Sequence, residues 1–191
     1  SGCGIAISID TASAAVARAA LDAGAVLVND VTAGRDDPEM LPLVAERGAA
    51  VCLVHMKGEP RTMQQAPTYH DVTGEVIAFL EERMSAAIAA GVPEHHILLD
   101  PGIGFGKRLD DNLTLLREIP RLAALGRPLV IGVSRKSMFG QLLGRQVDER
   151  MAGSLAAGLI AVNSGAAVLR VHDIRETADA IGVWRAVKGH G

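Results

Sequence analysis

Ile97-Leu98-Leu99-Asp100-Pro101-Gly102-Ile103-Gly104-Phe105-Gly106-Lys107 decides the fold. A short apolar run ends in a carboxylate, and alternating glycines follow at once. Short continuous apolar runs are the mark of parallel strands buried on both faces. Glycines after such a strand allow close backbone approach and positive φ. A polar group at a strand's C-terminal end, leading into a loop, lies where α/β folds bind their ligands.

The pattern repeats in both directions. Candidate strands cover residues 5–10, 25–30, 50–56, 129–133 and 168–172 as well as Ile97–Asp100. Helical patterns lie between them. Residues 11–23 are Ala-rich and close at Gly24, Asp37-Pro38 opens a helix that ends at Gly48, and residues 72–90 stop at Gly91. Residues 109–125, 149–164 and 175–187 repeat the scheme. Strand-then-helix units in succession imply parallel pairing. An open doubly wound sheet and a (β/α)8 barrel both satisfy that alternation. A barrel has eight units and about 200 residues or more, so counting alone favours the open sheet or else an incomplete barrel. The longest loop, residues 57–71, carries Gly58, Pro60 and Pro67 with no helical pattern, and loops of that length are usually disordered or functional.

Composition narrows the classes. With 191 residues one domain suffices, spanning residues 1–191. Aromatics at 3% leave Ala, Val, Ile and Leu to build the core. A net charge of -3 without a basic, aromatic-bearing face argues against nucleic acid. No apolar stretch reaches the roughly 18 to 20 residues that span a bilayer, and residues 1–10 lack the basic start and apolar block of a signal peptide. The expectation is a cytoplasmic chain with no membrane partner. Cys3 and Cys52 are too few and too far apart for a disulfide frame or zinc site, and Cys52, inside an apolar run, reads as a small buried hydrophobe.

The chemistry gathers at the strand ends: Asp10, Asn29-Asp30, His55-Met56, Asp100, Ser134-Arg135-Lys136, and Arg170 with His172. One Asp there can simply cap a helix, and Asp30 and Asp36 fit that role equally well. Polar groups at all six ends point instead to a site on that rim. Carboxylates and an amide suit a donor-rich edge such as the 2-amino and N3–H groups of a pterin, which resemble half a guanidinium. Lys136, Arg170 and His172 suit an anionic tail such as a diphosphate. The glycine loop is not G-x-G-x-x-G, and Gly132-Val133-Ser134-Arg135-Lys136-Ser137 lacks the P-loop glycines, so neither dinucleotide nor ATP binding is supported. His95-His96 precedes a strand, at the opposite rim, and reads as solvated. No His/Asp cluster has zinc-like spacing. Mg²⁺ escorted by diphosphate fits better, since Mg²⁺ rides on phosphate oxygens with few protein ligands.

Taken in order, Ile-Ser-Ile-Asp10-Thr, Val-Asn29-Asp30, Cys-Leu-Val-His55-Met56-Lys-Gly, Thr62-Met63-Gln64, Asp100-Pro-Gly-Ile-Gly-Phe105-Gly-Lys, Gly132-Val-Ser134-Arg-Lys136-Ser and Leu-Arg170-Val-His172-Asp resemble dihydropteroate synthase over nearly the whole chain. The resemblance implies a TIM-type (β/α)8 barrel, with the strands here matching its third to eighth. It implies a transferase of folate biosynthesis, a sulfonamide target, that joins 6-hydroxymethyl-7,8-dihydropterin diphosphate to 4-aminobenzoate with Mg²⁺, as a homodimer. By the same resemblance Asp10, Asp100 and Lys136 are catalytic, and Asp10, Asn29, Asp100, Lys136 and Arg170 hold the pterin. Arg170 and His172 take the diphosphate, and Phe105, Ser134 and Lys136 border the aminobenzoate. The family's Asn-Val-Thr-Pro-Asp-Ser-Phe loop, which supplies its Mg²⁺ ligand, and its Ser-Thr-Arg-Pro-Gly loop do not occur here, so an N-terminally incomplete barrel is expected, with no metal ligand among the residues present. Two alternatives share the pterin edge: a pterin-binding module without turnover, and the methyltetrahydrofolate-binding domain of corrinoid methyltransferases, against which Ser134-Arg135-Lys136 argues.

Overall fold

Among the described residues, six parallel strands stand side by side in the order in which the chain makes them. The structure, a computed structural model, describes residues 4–58 and 67–189. Cys3, Thr62-Met63-Gln64 and the middle of the long loop lie outside the described residues. The strands are β1 (Ser8–Asp10), β2 (Leu27–Asp30), β3 (Ala50–Val54), β4 (Ile97–Asp100), β5 (Val130–Ile131) and β6 (Val168–Leu169). β1 to β4 form one sheet and β5 pairs with β6. A Leu99–Leu129 bridge and the bond from Leu99 N–H to the Pro128 carbonyl (3.0 Å) join the two. Because the order never reverses, there is no doubly wound switch point, and the row is an arc of a barrel. Of the two architectures that counting left open, the open sheet is not adopted and the incomplete barrel is.

Between the strands run α1 (Ala14–Asp22), α2 (Met40–Glu46), α3 (Val72–Ala89), α4 (Leu109–Arg117), α5 (Ile119–Ala123), α6 (Ser137–Leu143) and α7 (Met151–Asn163), with α8 (Ile174–Lys188) last. Three helices depart from the sequence pattern. Asp37 does not open α2. Its carboxylate accepts from Ala14 N–H at 2.7 Å and from Glu39 N–H at 3.1 Å, capping α1 from a distant loop. The expected helix over 109–125 breaks at Glu118, because Pro120 has no N–H for the helical ladder. α6 was not expected: it is short, Gly140 interrupts its apolar spacing, and Gly144 ends it in the left-handed conformation.

Alternation along each strand sorts the side chains. Val28, Val51, Leu53, Ile97, Leu99, Leu129 and Ile131 face the helices and belong to the main core. Cys52, Val54 and Val130 face the other way with Leu27 and Leu98. Burial on both faces holds for the middle strands only. The outer strands β1 and β6 are partly open, with Ile7, just before β1, and Val168 each 42% exposed, since each strand has one neighbour among the described residues. β4 matches its apolar run residue for residue, and the other strands are shorter than theirs, because pairing stops where the chain turns out into the loops. Leu53→Ala in fully buried β3 is expected to cost about 2–5 kcal/mol of stability in urea unfolding. Val16→Ala, at a half-exposed position on α1, should stay within about 0.5 kcal/mol.

Candidate active site

Register places the polar groups. Asp10 pairs across β1 and β2 with Asn29, Asn29 with Cys52, and Val54 with Asp100. Side chains alternate every residue, so Asp10, Asn29 and Asp100 share the inner face while Asp30 points to the helices. Asp30 is fully buried and accepts from Thr32 N–H (2.8 Å), Thr32 Oγ1 (2.7 Å) and Gly34 N–H (2.7 Å). It therefore anchors a turn. His55 also leaves the rim: its ring meets Phe79 of α3 edge-on at 4.9 Å. Of the polar strand ends, these two serve structure. Of the His95-His96 pair, expected as solvated, only His95 is exposed, and His96 is half-buried.

Arg170, just past β6, crosses to the carboxylates. Its Nη2 donates to Asp100 Oδ2 at 2.5 Å and its Nη1 to Asn29 Oδ1 at 2.6 Å, with Asp10 Oδ2 4.0 Å away. Asn29 Nδ2 in turn donates to Asp10 Oδ2 at 3.1 Å. Asp100 is 1% exposed, and its other oxygen accepts from Gly102 N–H at 2.7 Å. Burial raises its pKa, while Arg170, the Gly102 amide, Lys136 and Lys107 hold it down. Burial likewise lowers Lys136, against the pull of Asp100. Cys52 is buried on the same face, and burial, then Asp100, pushes its thiol well up, so it is an inert hydrophobe as expected.

Beside this cluster a cavity of about 220 Å³ is lined by Asp10, Phe105, Ser134, Lys136, Arg170 and His172, among others. Lys136 Nζ lies 4.1 Å from the Phe105 ring centroid. Ser134 Oγ accepts from His172 N–H at 3.2 Å and lies 3.0 Å from His172 Nδ1. The residue between Ser134 and Lys136 is strained, because Arg135 has φ 57°, rare for a side chain with a Cβ. Its N–H donates to Ser154 Oγ at 2.9 Å, its carbonyl accepts from Arg150 at 3.0 Å, and its guanidinium pairs with Asp173. The turn aims Ser134 and Lys136 into the cavity and Arg135 out of it.

Two loops interlock beneath the cavity. A Cβ on Gly102, at φ +67°, would fall 1.8 Å from the His55 carbonyl oxygen, and one on Gly106 2.2 Å from that of Lys57. Only glycine permits that approach. Lys107, to which the sequence pattern assigned no role, is 3% exposed, and its Nζ lies 2.9 Å from His55 Nδ1. Burial pulls Lys107 down to about 7, against Asp100 and Asp111. The signal that could have found it is a cation closing a glycine loop, with three free donors and nearby carbonyls.

Apart from Asp30 and His55, the residues expected at the rim thus meet on one face, with Arg170 seated on the acceptors beside a cavity that Lys136 and His172 also line. The model of the family described as pterin binding enzyme matches residues 1–172. The dihydropteroate synthase of Neisseria meningitidis serogroup B is 46% identical over 97% of this chain and 67% of its own length. The chain belongs to the dihydropteroate synthase family.

Two solved members carry the same architecture. The chain matches the Yersinia pestis enzyme, solved as a sulfonamide drug complex, with a TM-score of 0.93 at 40% identity, over 97% of this chain and 67% of that one. It matches the Xanthomonas albilineans enzyme, in complex with 7,8-dihydropteroate, with a TM-score of 0.90 at 46% identity, over 96% and 67%. A second Xanthomonas structure, matched over 96% and 65% at 47% identity with a TM-score of 0.91, holds 4-aminobenzoic acid. The six βα units of the described residues therefore have the TIM-barrel fold of these relatives, as an incomplete barrel. The chain spans about two thirds of the length of these relatives, and the Escherichia coli K12 member is covered over 64%. Among the described residues, no helix is long and apolar enough to cross a membrane.

His55 makes the site's electrostatics measurable. Burial, then Lys107, lowers its pKa from 6.5 to about 3. The unfolded chain therefore binds a proton between those values that the folded chain does not, so stability falls as pH drops from 6.5 towards 3. His55→Asn keeps an acceptor near the Nδ1 position and removes the titration. Urea unfolding from pH 7 to pH 4 should show a shallower loss for this variant than for the parent chain. Parallel curves would exclude His55 as the source.

Proposed function

We propose that residues 1–191 form a single pterin-binding domain of a dihydropteroate synthase, which condenses 6-hydroxymethyl-7,8-dihydropterin diphosphate with 4-aminobenzoate to give 7,8-dihydropteroate and diphosphate. The observation that carries this reading is the guanidinium of Arg170 on Asp100 and Asn29. It is seated where the pterin's 2-amino and N3–H edge is to bind, so the cluster already accepts a planar donor edge of that shape. Arrival of the pterin displaces Arg170, which is then free to stack on the ring and reach the phosphates.

The remaining roles follow the chemistry of each group. Asp10, 66% exposed, faces the ring beside Asn29. Lys136 bonds the pterin and, with Phe105 and Ser134, borders the aminobenzoate. Arg170 and His172 receive the diphosphate. When the bond from the pterin methylene carbon to the diphosphate oxygen breaks, its electron pair leaves with diphosphate. Arg170, His172 and Lys136 stabilise that negative charge, and Asp10 and Asp100 the cationic pterin, as preorganised electrostatics require. The aminobenzoate nitrogen then bonds to the methylene and gives up a proton. That relatives of 46–47% identity were solved with 7,8-dihydropteroate and with 4-aminobenzoic acid supports these substrates.

No group of three His, Cys, Asp or Glu able to hold a metal occurs among the described residues, so these residues do not fit a metal centre of their own. Mg²⁺ is proposed only as an ion carried by diphosphate oxygens. A cytoplasmic homodimer is also proposed, through the second-half helices. Leu142, Leu143 and Ile160 are 52%, 51% and 56% exposed beside Leu113, Met138 and Phe139, which supports that face as the contact. Sedimentation should return twice the mass of one chain, and a monomer mass would exclude it.

The deciding experiment is diphosphate release by the purified chain with Mg²⁺, dihydropterin diphosphate and 4-aminobenzoate. Release should need both substrates and be lost in Lys136→Ala. Binding without release would identify a pterin-binding module instead. In calorimetry, Asp100→Ala should weaken pterin diphosphate by about 5- to 150-fold, the 1–3 kcal/mol cost of an unpaired polar edge. Unchanged affinity would exclude Asp100 from the pterin site.

A further inference from the structure

Lys107 is a buried cation that the proposed chemistry leaves without a task. Its ammonium has three N–H bonds and three acceptors: His55 Nδ1 at 2.9 Å, the Gly102 carbonyl at 2.9 Å and the Phe105 carbonyl at 3.1 Å. Two of the three lie in the glycine loop itself, at the ends of the turn that Phe105 N–H closes on the Gly102 carbonyl (3.0 Å). The rest of the loop is tied to the same neighbourhood. Gly104 N–H donates to Asn112 Oδ1 at 2.7 Å, and Tyr69 donates its hydroxyl to the Gly106 carbonyl at 2.8 Å. Glycines supply little resistance to rearrangement, so a loop of alternating glycines keeps one shape only when its polar groups are held from outside. Lys107 holds it from within the fold, on the side away from the cavity. The side chain that this loop presents to the cavity is Phe105, against Lys136.

We propose that Lys107 is a positioning residue, fixing residues 102–106 so that Phe105 and Lys136 form the aminobenzoate side of the site. The inference rests on the proposed function for the identity of that substrate, and on geometry alone for the loop. Lys107 touches no reacting atom. Its removal acts on Phe105, whereas the pterin edge is held by β1, β2 and β4.

The test labels the chain with 4-fluorophenylalanine at its Phe positions, 79, 105 and 139, and compares the parent with Lys107→Met and Tyr69→Phe. In Lys107→Met the Phe105 fluorine line should shift or split while that of Phe139, inside α6, stays. Tyr69→Phe, a milder change that releases only Gly106, should move the same line less. In kinetics, Lys107→Met should lose about 10–100-fold in kcat/KM for 4-aminobenzoate, the scale of a misplaced binding group. Binding of dihydropterin diphosphate should fall by less, because Asp100 keeps Arg170 and the Gly102 amide when the Lys107 charge is lost. An unmoved Phe105 line in both variants, or equal losses for both substrates, would overturn the proposal. If the parent chain itself neither binds nor turns over these substrates, the proposed function fails and the fluorine lines alone decide whether Lys107 sets the loop. Should Lys107→Met not fold, Lys107→Gln, which removes the ammonium but keeps N–H donors, carries the same comparison.

Discussion

Asp100 ends β4 with 1% of its surface exposed, and a carboxylate so placed must be compensated from within the protein. An unpaired charge there would cost several kcal/mol. The compensation comes from widely separated parts of the chain: the Gly102 amide two residues on, Lys107 and Lys136 nearby, and Arg170 across the barrel. Each partner imposes its own demand. The amide needs the chain to turn back sharply after β4, which sets the positive φ of Gly102. Lys107 is drawn inside and needs acceptors of its own. Arg170 must come from a strand in register to reach over the inner face. Much of the rim is therefore arranged around one buried oxygen pair.

That arrangement explains the spacing of the glycines. The turn after β4 lies directly on the backbone leaving β3, with the His55 and Lys57 carbonyls where Cβ atoms would be on Gly102 and Gly106. Close contact brings the His55 ring within reach of Lys107 and leaves the imidazole neutral, an acceptor at Nδ1. The two loops are thus one unit, welded by backbone contact on one side and by a buried cation on the other. Phe105 rides on that unit, so whatever fixes the loops also fixes the wall of the cavity.

Part of this was legible in the sequence and part was not, for physical reasons. Apolar runs ending in polar residues disclosed all six strands and the rim, since burial and alternation leave a local trace in the chain. Asp10, Asn29, Asp100, Ser134, Lys136, Arg170 and His172, which that rule picks out, lie together on one face. The same rule could not separate Asn29 from Asp30 or set His55 aside, because which of two neighbours faces inward depends on register with another strand. Lys107 was quoted as the end of a motif and its task missed, since its partners are a ring fifty-two residues away and two carbonyls. Backbone acceptors leave no letter in a sequence. Nor does strain, and the left-handed turn at Arg135 follows from Ser154, Arg150 and Asp173, far along the chain.

The pairing of Arg170 with Asp100 and Asn29 bears on how a ligand enters. A guanidinium on those acceptors keeps the buried carboxylate compensated while the site waits, so the cluster never has to hold a bare charge. An aminopyrimidine edge can replace it donor for donor but, being neutral, not charge for charge, so the exchange at Asp100 does not by itself favour the ligand. The net gain must come from elsewhere, namely the released guanidinium and the group it meets next. A ligand bearing an anion gives Arg170 a new charged partner beside His172, where a bare ring leaves it in solvent. On the proposed function, the diphosphate thus assists its own substrate's binding before it becomes the leaving group, and the residue that yields its place to the pterin is the one that next steadies the departing charge.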